Sequence, residues 1–345
     1  LKRVLNLLMS KKRIIVVSPG RGTYTRETSG YLKSCNALAK YHISWMDEMR
    51  LKKGYKTLTE LDNSIFKTNI HMRGENASTL IYGCSISDFL SIDQSKYQIV
   101  GVAGNSMGWY TALALSGAVT IENGYRIIHQ MGAMMEKEII GGQIIYPFMN
   151  KDWSLDKLKK IEILKKIEEV SAHVSINLGG YLVIGGSQNS LNKLLKALPK
   201  IEKFPFQIPF HAAFHTPLMK EVSKRAFKQI SVSFFNKPKI PLIDGRGHIW
   251  SPFSTNEKEL QDYTLEDQVL NTFDFTRTLE VALKEYCPDH IVLLGPGNTL
   301  GGSIGQIMIK NDWLKINSKD SFIKFQKKDP YLISMGEPSQ RSYLF

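Results

Sequence analysis

The chain is 345 residues long, which allows one large domain or two unequal ones and excludes a peptide or a disulfide-stapled scaffold. Apolar residues make up 43% and charged residues 22%, so neither wholesale disorder nor a multi-span membrane protein fits. Forty-five Lys plus Arg against 32 Asp plus Glu leave a net charge of +13, which favours acidic partners without choosing among nucleic acid, anionic lipid, a phosphorylated cofactor or an acidic protein.

The opening segment carries a short apolar run that is broken by Asn6 and followed at once by Lys11, Lys12 and Arg13. It lacks the long core and small-residue cleavage site of a signal peptide, and no apolar stretch reaches the roughly 18 residues of a membrane span. The expectation is a cytoplasmic protein whose first eight residues, ahead of Met9, are an extension. Segment 13–18 (RIIVVS) reads as a buried parallel strand ending in the glycine turn PGRG. Segment 97–103 (YQIVGVA) repeats the pattern, and after Gly104 the stretch SMGWYTALALSGAV has apolar residues at helical spacing. Segment 291–294 (IVLL), followed by Gly295-Pro296-Gly297, is a third strand of this kind, and the alternation points to an α/β architecture with a mostly parallel sheet. Residues 141–210 read differently: a lysine-rich helix over 155–170, strands at 174–177 and 181–184, and a second basic helix from Ser190. This is an inserted α+β subdomain, dividing the chain into 1–140 plus 211–345 and 141–210; its charged helices read as solvated faces. No basic stretch interleaved with aromatics singles out nucleic acid. Cys35, Cys84 and Cys287 form no CxxC pair, so neither a disulfide framework nor a metal site is expected, and a reducing compartment follows.

Gly104-Asn105-Ser106-Met107-Gly108 matches G-x-S-x-G between a predicted strand and a predicted helix, the setting in which a serine sits exposed on a sharp turn. The glycines leave room for that turn, and the helix start offers N–H groups to an oxyanion, the Met107 amide first among them. Ser106 then needs a base, and spacing alone does not choose among eight histidines. His215, in a loop-like segment leading into a helix, suits a cleft; His290, at the start of a strand, would suit an esterase-type ending only if it lay after that strand.

GNSMGWYTALALSGAVT, AAFHTPLM, the PGRG turn and LLGPGNTLGG, in this order, resemble the malonyl-CoA:acyl carrier protein transacylase family, which includes the acyltransferase domains of polyketide synthases. The resemblance runs from about Ile14 to Ile309. It implies an α/β-hydrolase-like subdomain interrupted by a small ferredoxin-like one, and no permanently bound cofactor. Ser106 would attack a coenzyme A thioester with His215 as base, and the acyl group would pass to the pantetheine thiol of an acidic, phosphopantetheinylated acyl carrier protein, in fatty acid or polyketide biosynthesis. The resemblance also implies that a backbone carbonyl at Gln268 orients the histidine and that Arg21 supplies the second oxyanion N–H.

Three positions depart from the family's usual residues: Arg21 stands for Gln, Asn105 for His, and Met131 for the Arg that pairs with the malonyl carboxylate. Either the acyl group lacks a distal carboxylate or another cation meets it, and Arg21 is the first candidate, with Arg126 a weaker one. Phe214 resembles the bulky choice of members that accept an unbranched malonyl unit. Met131, Met134 and Met135 read as an apolar helix stripe that would also fit longer acyl chains, and Trp109 as an entrance residue or a helix-face cap. Three alternatives stay open: an acyl carrier protein hydrolase of the same fold, a non-catalytic carrier-binding module, and an ordinary serine esterase, which the motif order disfavours.

Overall fold

The computed structural model describes residues 11–134 and 139–345. The expected N-terminal extension and the Met135 member of the methionine stripe lie outside the described residues. Eleven strands are formed among the described residues: β1 (Lys12–Ser18), β2 (Tyr97–Gly104), β3 (Gly142–Pro147), β4 (His173–Leu178), β5 (Tyr181–Gly186), β6 (Phe206–Gln207), β7 (Leu242–Ile243), β8 (Ile249–Trp250), β9 (Phe273–Asp274), β10 (His290–Leu293) and β11 (Leu332–Ser334). The helices used below are α1 (Ala37–Leu51), α2 (Gly74–Phe89), α3 (Gly108–Leu115), α4 (Ile121–Ala133), α5 (Lys157–Glu169), α6 (Gln188–Ala197), α7 (Lys220–Gln229), α8 (Phe275–Tyr286) and α9 (Gly301–Lys310).

The larger sheet has the order β11-β10-β1-β2-β7-β8, parallel throughout except for the β7–β8 pair. Its central strands are covered on both faces, so they are continuous runs of β-branched residues, and Ile14 to Val17 are fully buried. Helices α2 and α3 lie inside the molecule: α3 has no exposed residue, and nearly all of α2 is buried. At the C-terminal end of α2 the fully buried Asp88 accepts from the Tyr31 hydroxyl and the Gly295 amide and pairs with Arg341 at 2.7 Å, tying the last helical turn of the chain to the core.

The smaller sheet has the order β6-β3-β5-β4-β9, antiparallel except where β9 joins β4. Its first elements run β3-α5-β4-β5-α6-β6, the split βαβ arrangement of a ferredoxin-like unit, with its own small core of Ile144, Leu182, Ile184, Leu191 and Leu194. Asp156 and Ser187 cap α5 and α6 by accepting from the amides of Lys159 and Ser190. The last strand, β9, comes from well beyond residue 210, so the chain that leaves the small unit returns to complete its sheet. The fold is thus an α/β-hydrolase-like core with a ferredoxin-like subdomain. No helix among the described residues is long and apolar enough to cross a membrane.

Tight packing is concentrated where β2 turns into α3. A Cβ on Gly104 would lie 2.1 Å from the Gly108 carbonyl oxygen, and one on Gly108 would lie 2.4 Å from the Ser18 oxygen, both backbone atoms that cannot swing aside. Gly104→Ala is therefore expected to cost about 2–3 kcal/mol in urea unfolding. Gly302→Ala, on α9 where the nearest atom is a Trp153 ring carbon at 4.0 Å, should leave stability unchanged or raise it by up to about 1 kcal/mol. Equal effects at both positions would contradict this packing.

Candidate active site

The turn that ends β2 holds Ser106 at φ 55°, a left-handed conformation that a non-glycine residue adopts only when its surroundings impose it. They do so through backbone bonds: the Asn105 amide donates to the Ser18 carbonyl at the end of β1, and the Gly108 and Trp109 amides close back onto the Asn105 and Ser106 carbonyls. The half-buried Ser106 hydroxyl is thereby presented at the start of α3.

His215 is also left-handed, at φ 57°, and is buried in the loop that precedes α7. Its Nε2 lies 2.7 Å from Ser106 Oγ and its Nδ1 lies 2.5 Å from the Gln268 carbonyl oxygen. A carbonyl can only accept, so Nδ1 carries the proton and Nε2 is left as the acceptor facing the serine hydroxyl. Burial pushes the imidazole down to about 4, against the pull of the Gln268 carbonyl in the other direction, so the ring is neutral at neutral pH. A serine hydroxyl hydrogen-bonded to a neutral, oriented imidazole is the arrangement that general-base activation requires.

Gln268 contributes more than the carbonyl expected of it. Its side-chain Nε2 donates to the Ser106 carbonyl at 3.2 Å while its Oε1 accepts from the Tyr110 hydroxyl at 3.1 Å, so one residue braces both the serine turn and the histidine. The histidine loop is steered from the other side by the small sheet. Ser175 on β4 donates to the Phe214 carbonyl at 2.8 Å, Gln143 on β3 donates to Ser175 Oγ at 2.6 Å, and Gln143 Oε1 meets His211 Nδ1 at 2.8 Å. Gln143 and Ser175 belong to no motif, and only the β3–β5–β4 pairing brings them under the loop. His290 is excluded as the base: at the start of β10 its ring nitrogens face Lys12 and the Pro330 carbonyl.

A cavity of about 50 Å³ opens beside Ser106, lined by Arg21, Met107, Met131, Phe214 and His215 among others. Among the described residues, the amides of Met107 and Arg21 meet no protein acceptor. The Arg21 side chain turns inward: Nη2 donates to the Met72 and Phe210 carbonyls, each at 3.0 Å, and the guanidinium lies 5.5 Å over the Phe214 ring. Its Nε is buried without a partner and, among the described residues, no carboxylate pairs with it. Burial lowers its pKa to about 10, partly offset by Glu75, so it remains a cation at neutral pH. Asn105 packs its side chain behind the turn against Gly20 and does not line the cavity. Met131 presents its apolar side chain to the cavity from α4, and Met134 is buried in the core. Arg126 is exposed on α4, bonded to Asn123 and stacked over Trp45. Trp109 is fully buried and donates to Thr264 at 3.0 Å.

No protein-family model matches the chain. Among curated proteins, it is 24% identical over 213 residues to the malonyl CoA-acyl carrier protein transacylase of Escherichia coli K12, a match covering 60% of this chain and 65% of that protein, just under two thirds of the relative's length. The enzyme of the same name from Buchnera aphidicola is 22% identical over 315 residues, covering 89% of this chain and 96% of the relative. Among solved structures, the malonyl-CoA:ACP transacylase of Synechocystis sp. PCC 6803 superposes with a TM-score of 0.73 at 17% identity, over 96% of this chain and 100% of that one. A malonyl-transacylase solved in complex with its type II polyketide-synthase acyl carrier protein gives 0.73 at 16% identity, over 97% and 99%.

With the imidazole at about 4, the rate at which a fluorophosphonate labels Ser106 should change by less than about two-fold between pH 7.5 and 5.5. A histidine at its ordinary value of about 6.5 would lose roughly ten-fold over the same interval. A fall of that size would contradict the buried, neutral ring described above.

Proposed function

We propose that the chain is a member of the malonyl-CoA:acyl carrier protein transacylase family and that it moves a short acyl group from coenzyme A to the pantetheine thiol of an acidic, phosphopantetheinylated acyl carrier protein. The observation that carries the reading is the chain of contacts Ser106 Oγ to His215 Nε2 at 2.7 Å and His215 Nδ1 to the Gln268 carbonyl at 2.5 Å, beside a cavity. Ser106 gives its proton to His215 Nε2 as Oγ attacks the thioester carbon. The oxyanion is held by the Met107 and Arg21 amides, and its collapse expels the coenzyme A thiolate, which takes the proton back. In the second half, the pantetheine thiol gives its proton to His215, its sulfur attacks the ester, and Ser106 leaves as the restored hydroxyl. No metal or bound cofactor enters these steps.

The acyl group is malonyl in this reading, with Arg21 holding its free carboxylate. A buried guanidinium with an unpartnered Nε costs free energy unless an anion joins it, and the cavity it lines is small. Asn105 acts behind the serine turn, Met131 and Phe214 form apolar walls, and residues 141–210 form the unit that steers the histidine loop. Function in the cytoplasm follows from a carrier-dependent biosynthetic role.

The test is intact-protein mass spectrometry after incubation with malonyl-CoA, acetyl-CoA and a medium-chain acyl-CoA in parallel, followed by addition of carrier protein. A malonyl adduct that passes to the carrier and is absent from Ser106→Ala is expected; an adduct that decays to free acid with the carrier left bare would make the protein a hydrolase. Arg21→Ala keeps the backbone amide but removes the cation, so malonyl loading should fall by at least about ten-fold while acetyl loading changes by less than about three-fold. Equal losses would remove Arg21 from carboxylate binding.

A further inference from the structure

The segment that delivers the Gln268 carbonyl is not an ordinary helix. Tyr263–Asp267 forms a π-helical turn between the α-helical segments Glu257–Asp262 and Gln268–Leu270. A wide turn has poorer internal packing than an α-helix and persists where its neighbours hold it. Two anchors are visible. On the α3 side, Trp109 Nε1 donates to Thr264 Oγ1, and the Trp109 and Tyr263 rings meet edge to face at 4.9 Å.

The second anchor is a chain of charge leading from the large sheet. Asp244, at the end of β7, is fully buried, and its carboxylate accepts from the backbone amides of Arg246 and His248, from Trp250 Nε1, and from Arg246 Nε and Nη2. These bonds fix the carboxylate, and the carboxylate fixes the guanidinium. The remaining arm of Arg246, Nη1, pairs at 2.8 Å with Asp267, the last residue of the π turn and the immediate neighbour of Gln268. The guanidinium also lies 4.3 Å over the Tyr263 ring, whose hydroxyl accepts from the Gly245 amide at 2.8 Å. The first and last residues of the π turn are therefore both held by the 244–246 turn.

We propose that Arg246 is a positioning residue: by joining the buried Asp244 to Asp267 it holds the π turn in the register that aims the Gln268 carbonyl at His215 Nδ1. An aspartate side chain can rotate to follow a histidine, but a carbonyl points where its peptide plane points, so its aim is set by the segment that carries it. Arg246 suits the task because a planar fork engages two carboxylates in a fixed relative geometry, which the single nitrogen of a lysine does not impose. The kinetic consequence rests on the acyl-transfer reading above; the geometric one does not.

The test uses the full chain with Arg246→Met, Arg246→Lys and Asp267→Ala. Asp267→Ala leaves the Asp244–Arg246 pair intact and cuts the link to the turn together with the bond from Asn271 Nδ2, so with Asn271→Ala as its control it decides the matter if Arg246→Met fails to fold. The first readout is the proton NMR signal of the His215 Nδ1–H at pH 7, assigned by its loss in His215→Ala. In Arg246→Met and Asp267→Ala its exchange with solvent should accelerate at least about ten-fold, with Arg246→Lys intermediate. The second is the rate of Ser106 acylation, expected to fall about ten-fold with the KM for acyl-CoA unchanged within about two-fold. An exchange rate unaltered in Asp267→Ala, or no such signal in the wild type, would overturn the proposal. If no thioester acylates the wild type while the signal still responds, the acyl-transfer reading fails and the positioning role stands.

Discussion

A histidine oriented by a backbone carbonyl is only as well placed as the chain segment that bears the carbonyl, and the 2.5 Å contact between His215 Nδ1 and Gln268 makes the whole site depend on that condition. Three segments distant in sequence must agree. The β2–α3 turn sets Ser106, the small sheet holds the loop that carries His215 through Ser175 and Gln143, and the π turn delivers Gln268. Ser106 and His215 both sit at positive φ, so each is held in a strained conformation by bonds made elsewhere. The return of the chain to add β9 beside β4 is part of the same solution: Phe273 on that strand packs 5.6 Å from the His215 ring, and the π turn lies just before it. The two sheets are thus joined at the histidine, and the subdomain division and the site geometry have one cause.

The cavity's electrostatics follow from what is missing as much as from what is present. Arg21 has no carboxylate partner among the described residues, only carbonyl acceptors for one nitrogen and the Phe214 face beneath it. Asp88 with Arg341 and Asp244 with Arg246 form ion pairs on a buried carboxylate, whereas the fully buried Arg50 spends its donors on the Lys56 and Glu75 carbonyls, Thr79 and Asn76. Arg21, beside the serine, differs in keeping a buried Nε without a partner, and Met131 keeps that wall of the cavity apolar. An anion that entered would meet a buried cation with an unpartnered Nε, with Glu75 as the carboxylate already acting on it, in surroundings where the attraction is poorly screened.

The strands β10, β1 and β2 of the large sheet and the serine turn were legible in the sequence because their information is local. Ser106 sits in G-x-S-x-G, with β-branched runs before it and helical periodicity after it, and steric need dictates the glycines. His215 and the carbonyl of Gln268 were reached through the resemblance of longer motifs; the residues alone left eight histidines open. What supports them was not legible. Gln143, Ser175 and Arg246 lie in stretches with no motif, and each acts through a partner that only the tertiary fold supplies: Gln143 reaches His211 across 68 positions. The two-residue strands β7, β8 and β9 are too short to carry an alternation, and a π turn has no periodic signature of its own. Trp109 shows the same limit from the other side. Its place after the serine suggested an entrance or a cap, whereas the structure buries it against Thr264 and Tyr263, where it holds the π turn.

Burying the histidine carries a cost in basicity, because an imidazole held near 4 is a weaker proton acceptor than one at its ordinary value. The Gln268 carbonyl fixes the proton on Nδ1, and the same burial leaves the ring neutral at rest. The amides of Met107 and Arg21, residues that line the cavity, meet no protein acceptor among the described residues. In the proposed acyl transfer, the loss at the base would be set against a gain where the oxyanion forms, a gain realised only if the ring, once protonated, keeps its bond to Gln268. A partial negative charge at 2.5 Å stabilises the imidazolium without placing a full carboxylate in the same cavity as Arg21. A carbonyl in that position therefore orients the ring and, in the proposed reaction, would support its charge and leave Arg21 free for an anion arriving from outside.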